Sequence, residues 1–346
     1  MDLNVSCPVP ITNYDQVTMA HGGGGSLSNQ LIEKMFLPEL SNPLLNEGHD
    51  GAIFDLPGKL AFSTDSFVVN PIFFPGGDIG DLAVNGTVND LVCCGAVPRY
   101  LSLGMIIEEG FSMEELWQIV QSIGKAAKIA GVQVVTGDTK VVDKGKGDKI
   151  FINTSGIGHI PANINIGPKR AQAGDVVIIN GKIAEHGVAI MSSREGLEFE
   201  TSIISDTMPL NDLMNEVYSV TREVHVLRDP TRGGISSALN EIAKTANVGI
   251  EINEKDIPIS EQVKGACEIL GLDPLYIANE GKILIIVPEE YSEQILETMR
   301  RHPAGRDSSI IGSVSSEMKR MVRMKTSIGS TRIVDMISGE QLPRIC

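Results

Sequence analysis

Period-two alternation of apolar and polar positions predicts strands over residues 60–69 and 99–109, with two more at 132–142 and 149–160 joined by a glycine-lysine turn. Between the first two lies the stretch 62–95, FSTDSFVVNPIFFPGGDIGDLAVNGTVNDLVCCG, around which the rest is organised. Its apolar run carries Asp65, passes a proline-glycine turn and then becomes helical. Asp78 or Asp81 is expected to cap that helix, which reaches about Cys94 with Leu82, Gly86 and Asn89 on one face. Ser112-Met113-Glu114-Glu115 has the form of a capping box and opens a helix ending near Gly131. Upstream, residues 1–20 with Pro8 and Pro10 read as an extended arm. The run HGGGG (21–25) then leads into Leu27, Leu31 and Met35 at helical spacing, and 50–53 reads as a turn into a strand.

PANINIGP (161–168) is a linker by composition, and beyond it strand and helix patterns alternate. Strands are expected at 175–180, 249–252 and 282–287, and helices at 183–194, 211–223, 235–246, 260–270 and 289–301. A short strand follows Ser327, and 339–346 is a polar tail expected to be mobile. The fold class is therefore α+β, with an α/β domain at each end of the chain. The organisation expected is an arm, glycine loop and first helix (1–40), an N-terminal domain (41–160), a linker (161–168), a C-terminal domain (169–326), and a final strand and tail (327–346).

Length supports that division, since 346 residues exceed the size at which one core keeps growing. A formal charge of −15 and a pI near 4.9 argue against nucleic-acid or anionic-membrane partners, which need a basic surface. Aromatic residues at 4% argue against base-stacking platforms as well. No apolar run reaches the roughly 18 residues of a spanning helix, and residues 1–20 lack the basic start and apolar core of a signal peptide. Cys7, Cys93, Cys94, Cys267 and Cys346 show neither CxxC spacing nor the density of a disulfide scaffold, so a cytoplasmic location is expected. Adjacent Cys93 and Cys94 read as core packing.

Half-buried carboxylates are costly unless paired or bound to a cation. Asp65 and Asp90 therefore read together as oxygen ligands for a hard metal such as Mg²⁺, and VVTGDTKVV (134–142) adds Asp138 with Lys140 two residues on. With Asp50 they form a set suited to metal and polyphosphate, although each alone could be a cap or turn residue. Gly23, Gly24 and Gly25 before one helix, and Arg232, Gly233 and Gly234 before another, offer backbone N–H groups to an anion. The first run is neither a Walker A sequence nor GxGxxG, and taken alone it reads first as a flexible entry loop. Glu280, in Asn279-Glu280-Gly281, is either a solvated turn residue or a base at the lip of the second domain. His21, His159, His186 and His225 lack metal-ligand spacing and read as structural. Cys346 is either a chance terminal thiol or a working residue, because an idle thiol on a tail is exposed to oxidation.

Taken together, HGGGG (21–25), FSTDSFVVNPIFFPGGDIGDLAVNGTVNDL (62–91), IIEEGFS (106–112), VTGDTKVV (135–142), FINTSGIG (151–158), RDPTRGG (228–234), ANEGK (278–282) and the terminal PRIC (343–346) resemble the HypE family of hydrogenase maturation proteins. That family sits within the ATP-using superfamily of aminoimidazole ribonucleotide synthetase, selenophosphate synthetase and thiamine-monophosphate kinase. The terminal PRIC separates it from those relatives. The resemblance implies a homodimer whose N-terminal strands form a barrel, with ATP in a cleft between the domains of each subunit. It also implies that Asp50, Asp65, Asp90 and Asp138 hold Mg²⁺, that Asn89 joins the nucleotide site, and that Lys140 and Glu280 line the reaction pocket. His49-Asp50 stands where relatives often show two successive aspartates, so metal stoichiometry is left open. The reaction implied is ATP-dependent dehydration of an S-carboxamide on Cys346 to a thiocyanate. The carbamoyltransferase HypF would supply the carbamoyl group and the HypC–HypD complex would take the cyanide. Two other readings stay open, a selenophosphate synthetase-like phosphotransferase and a non-catalytic nucleotide-binding scaffold.

Overall fold

The computed structural model describes residues 8–195 and 203–336. The N-terminal half is a four-stranded sheet of β1 (Lys59–Phe67), β2 (Val97–Glu108), β3 (Gln133–Val142) and β4 (Ile150–Ile160), in the order β1-β4-β2-β3. β4 runs antiparallel to β1 and β2, and β2 and β3 are parallel. One face is apolar, with Phe67, Leu101, Leu103, Met105, Ile107, Ile150 and Ile152 buried at 4% exposure or less. The other stays open, leaving Phe62 69% and Ile106 45% exposed.

The buried face is covered by α2 (Ile79–Cys93) and α3 (Met113–Ala130), after a first helical run, α1, over residues 26–40. Asp78, rather than Asp81, caps α2, accepting from Gly80 N at 2.7 Å and Asp81 N at 3.2 Å, while the Asp81 carboxylate returns to Asp78 N at 3.2 Å. Helix and strand approach so closely that a Cβ on Gly86 would lie 2.8 Å from the Phe67 ring. α3 begins at Ser112, whose hydroxyl accepts from Glu114 N and Glu115 N, and stops at Gly131 in the left-handed region at φ 67°. Its Leu116, Ile119, Val120 and Ile123 are fully buried, each contributing about 1.5–3 kcal/mol. Two expectations fail. Residues 50–53 lead into coil, because Ile53 stays 76% exposed and no neighbouring strand pairs with it. Cys93 packs against the core, but Cys94, at the end of α2, is exposed.

The C-terminal half is a seven-stranded sheet of β5 (Asp175–Ile179), β6 (Val226–Arg228), β7 (Gly249–Asn253), β8 (Leu284–Pro288), β9 (Ser309–Ser315), β10 (Val322–Lys325) and β11 (Thr331–Ile333), in the order β11-β10-β7-β9-β5-β8-β6. β10 and β7 are parallel and the other pairs antiparallel. Helices follow as α4 (Glu185–Glu195), α5 (Asn211–Val220), α6 (Gly234–Ala246), α7 (Glu261–Leu270) and α8 (Glu289–Arg301). Alternation along the central strands sorts the layers. Val176, Ile178, Ile285 and Val287 join α5, α8 and the N-terminal core in one cluster, whereas Val177, Ile179, Leu284 and Ile286 join α6 and α7 in another. β6, β9 and β10 were not anticipated, being short or broken by glycine and serine.

The two halves are fastened by the segment 205–211. Ser205 N bonds Pro75 O at 2.7 Å, the Asn85 side chain reaches Thr207 at 3.1 Å, and Asn89 donates to Met208 O and accepts from Leu210 N. Chain order thus carries α2 and the 278–282 loop to a common junction. No helix among the described residues is long and apolar enough to cross a membrane.

Candidate active site

At that junction the chain gathers Asp65 from β1, Asp90 from the last turn of α2, Asp229 after β6, and Glu280 from the loop before β8. The Ser63 hydroxyl donates to Asp90 at 2.7 Å, Ser66 N donates to Asp65 at 2.7 Å, and the Arg232 guanidinium stands 3.8 Å from Asp65. Burial, then mutual repulsion with Asp229 and Asp65, pushes the Asp90 carboxyl up to about 6. Burial likewise raises Asp65, against the Ser66 amide and Arg232. Glu280 is 4% exposed, one of its carboxyl oxygens has no hydrogen-bond partner, and burial followed by repulsion from Asp206, Asp229, Asp65 and Asp90 raises it well above the ordinary range. Carboxylates crowded until ionisation is unfavourable, with a buried oxygen unpartnered, fit a hard cation.

The Glu280 backbone is gripped from both sides. Its N–H donates to Asp206 at 3.1 Å and its C=O accepts from the Asn89 amide at 3.0 Å. Burial opposes the charge on Asp206, but Lys282 at 2.9 Å, His186 and the Glu280 amide outweigh it and hold that carboxyl below the ordinary range. Gly281 allows this approach, since a Cβ there would lie 1.9 Å from Asp206 O.

Arg232, Gly233 and Gly234 stand at the start of α6, and of these the Arg232 guanidinium reaches towards Asp65. Gly233 and Gly234 adopt φ 75° and 58°, and a Cβ on Gly234 would meet Leu275 O at 2.5 Å.

Other expected site residues lie elsewhere. Asp138 and Lys140 form an exposed pair at 2.5 Å, and the Lys140 hydrogen bond holds the Asp138 carboxyl below the ordinary range. Cross-strand partners share a face of a sheet. Asp65 is aligned with Thr154 and Leu103 on the helix side, but Asp138 is aligned with Gly104, Asn153 and Ser66 on the open side. Three strand spacings separate them, roughly 14 Å. The glycine loop sits with Asp138 and Lys140, for a Cβ on Gly22 would lie 2.4 Å from Val141 N. Gly23, Gly24 and Gly25 precede α1 there, with Gly24 N bonded to Ser28. Asp50 is exposed in coil. The four aspartates therefore do not converge within one chain, and among the described residues no group of three His, Cys, Asp or Glu side chains forms a ready metal cage. Asn89 is 1% exposed and its three hydrogen bonds are all to backbone, so it acts as a fastener. Cys346 lies outside the described residues.

Asp206, Asp229 and Lys282 join this junction without having been singled out from the sequence. Asp229 stands in RDPTRGG directly before a proline-bounded turn, a position of the same kind as those that drew attention to Asp65 and Asp90. Nothing local marks Asp206, whose burial arises from contact with a loop more than 70 residues away. The histidines take structural partners: His21 the Thr18 amide, His159 Arg99, His186 Ser205 and His225 Asp175.

Two packed α/β units with an acidic, arginine-edged junction define a protein of the AIR synthase-related class. The model of the AIR synthase related protein N-terminal domain matches residues 48–160 and that of the C-terminal domain 172–324. The carbamoyl dehydratase HypE of Azotobacter vinelandii is 51% identical over 331 residues, covering 95% of this chain and 97% of that one. A crystal structure of the hydrogenase maturation protein HypE in complex with ATP superimposes with a TM-score of 0.92 at 48% identity, covering 95% of this chain and 99% of that one. The HypE of a HypE–HypF complex does so at 0.79 and 48%, covering 90% and 100%. The chain belongs to the HypE family of carbamoyl dehydratases, which act in hydrogenase maturation.

Proposed function

We propose that this chain uses ATP and Mg²⁺ to dehydrate an S-carboxamide on its own Cys346 to a thiocyanate, the source of the cyanide ligands of a [NiFe]-hydrogenase iron. The observation that carries the site assignment is Glu280, a buried carboxyl with an oxygen left unpartnered among three aspartates at the domain junction. Asp65, Asp90 and Asp229 would hold Mg²⁺, whose chemistry here is to neutralise phosphate charge. Arg232 and the N-terminus of α6 would offer positive charge to the anionic phosphate oxygens. The carboxamide oxygen takes the γ-phosphoryl group of ATP as the bond to ADP breaks and ADP leaves; the C–O bond then breaks, and that oxygen leaves in phosphate. Both N–H protons are lost as the C≡N bond forms; Glu280 in its ionised form receives one of them and the departing phosphate takes up the other.

Dimerisation accounts for the residues left apart. The open face of the N-terminal sheet, with Phe62, Ile106 and Leu60 exposed, is the surface for a second copy. Asp138, Lys140 and the glycine loop would then act at that interface. Asp138→Asn should weaken Mg²⁺-dependent ATP binding by calorimetry, and unchanged binding removes it from the ligand set. HypF is the partner that carbamoylates Cys346 and HypC–HypD the acceptor, in the cytoplasm.

The deciding experiment is intact-mass spectrometry after incubation with HypF, carbamoyl phosphate and MgATP, beside Cys346→Ala. Gain of a carbamoyl group and then ATP-dependent loss of one water, both absent in the control, is expected. Modification that ignores Cys346 overturns the proposal. Glu280→Gln should accept the carbamoyl group and fail to dehydrate it.

A further inference from the structure

The Glu280 loop is held by a device that none of the site chemistry requires. Residues 205–211 are stapled to the N-terminal half through Pro75, Asn85 and Asn89, yet the Ser205 hydroxyl reaches His186 and the Asp206 carboxylate reaches the Glu280 loop, both in the C-terminal half. There that carboxylate takes the Glu280 N–H at 3.1 Å and the Lys282 ammonium at 2.9 Å. Asp206 is 4% exposed and Lys282 5%. A buried ion pair of this kind adds little net stability compared with an apolar pair of similar volume. Its other product is geometric. With Asn89 on the carbonyl and Asp206 on the amide, the peptide groups flanking Glu280 cannot rotate without breaking a buried hydrogen bond. The side chain is thereby aimed with one oxygen unpartnered.

We infer that Asp206 is a positioning residue for the dehydration step: as acceptor for the Glu280 N–H it fixes that carboxyl toward the reacting carboxamide, and Lys282 keeps Asp206 in place. The inference rests on Glu280 being the base. Because a misplacement of about 1 Å can cost on the order of 10²-fold in rate, loss of the acceptor should be visible in the chemical step alone.

Two neutral double variants isolate the acceptor while removing the same pair of charges. In Asp206→Asn/Lys282→Gln the side-chain oxygen of residue 206 still accepts from Glu280 N–H, and its amide is met by the glutamine carbonyl. In Asp206→Leu/Lys282→Met the branched shape of residue 206 is kept and the acceptor is gone. Both are tested as full-length protein, with three readouts: HypF-dependent carbamoylation, MgATP affinity by calorimetry, and single-turnover loss of water by intact mass. The expected result is unchanged carbamoylation and ATP affinity in both, dehydration near wild type in the polar variant, and dehydration slower by about 10²-fold in the apolar one. Equal dehydration rates in the two variants overturn the inference. Wild-type dehydration in Glu280→Gln instead overturns the base assignment beneath it, so the two failures are distinct.

Discussion

Asn89→Ala is the sharpest test of how the site is held together. The carboxamide is 1% exposed and makes hydrogen bonds of 3.0 Å to Met208 O, 3.0 Å to Glu280 O and 2.9 Å from Leu210 N. Truncation removes three bonds worth about 1–1.5 kcal/mol each and leaves buried backbone groups unmet, for a loss of about 4 kcal/mol. In urea denaturation this appears as a lower midpoint with an unchanged slope, and on heating as a fall of roughly 8–16 °C. Catalysis should suffer too, since the Glu280 carbonyl loses its donor, whereas MgATP affinity measured well below the transition should stay close to wild type. A loss of stability under about 1 kcal/mol together with weakened nucleotide binding would refute the reasoning, making Asn89 a ligand rather than a fastener.

Asp81 gives a pH test. Burial and repulsion from Asp78 raise its carboxyl to about 8, from an ordinary 3.8. The folded state therefore binds the proton more tightly than the unfolded chain. The resulting stability is full below about pH 4 and is lost as pH rises towards 8. Asp81→Asn should thus gain on the order of 1–3 kcal/mol relative to wild type at pH 8 and nothing at pH 4, by urea midpoint; a pH-independent difference would count against it. Around the acidic cluster, ATP should bind at least about tenfold more weakly when Mg²⁺ is chelated, the equivalent of 1.4 kcal/mol. Asp229→Asn should narrow that difference in calorimetry, and an undiminished Mg²⁺ dependence would take Asp229 out of the cation site.

Elements whose cause is local were legible in the sequence. Ser112 and Gly131 bound α3 because a hydroxyl cap and a left-handed glycine act within one turn of the helix. Strand alternation likewise located β1 to β4, and the glycines before α6 marked an unusual backbone. The motifs also carried the family. Where a residue's role depends on a distant partner, the sequence was silent or misleading. Asn89 looked like a ligand until its amide was seen to be used up by backbone 119 to 191 residues away. Asp206 had no local mark at all.

The separation of Asp138 from Asp65 is the clearest case. Both sit in apolar strands and look alike in sequence, but side chains alternate across a sheet, and which face each aspartate occupies is set by the pairing register of β1, β4, β2 and β3. Sequence by itself determined the elements with a clear local pattern, the acidic character and the family of this protein. Tertiary structure alone decided which carboxylates meet, because register and domain docking are fixed by contacts between segments far apart in the chain.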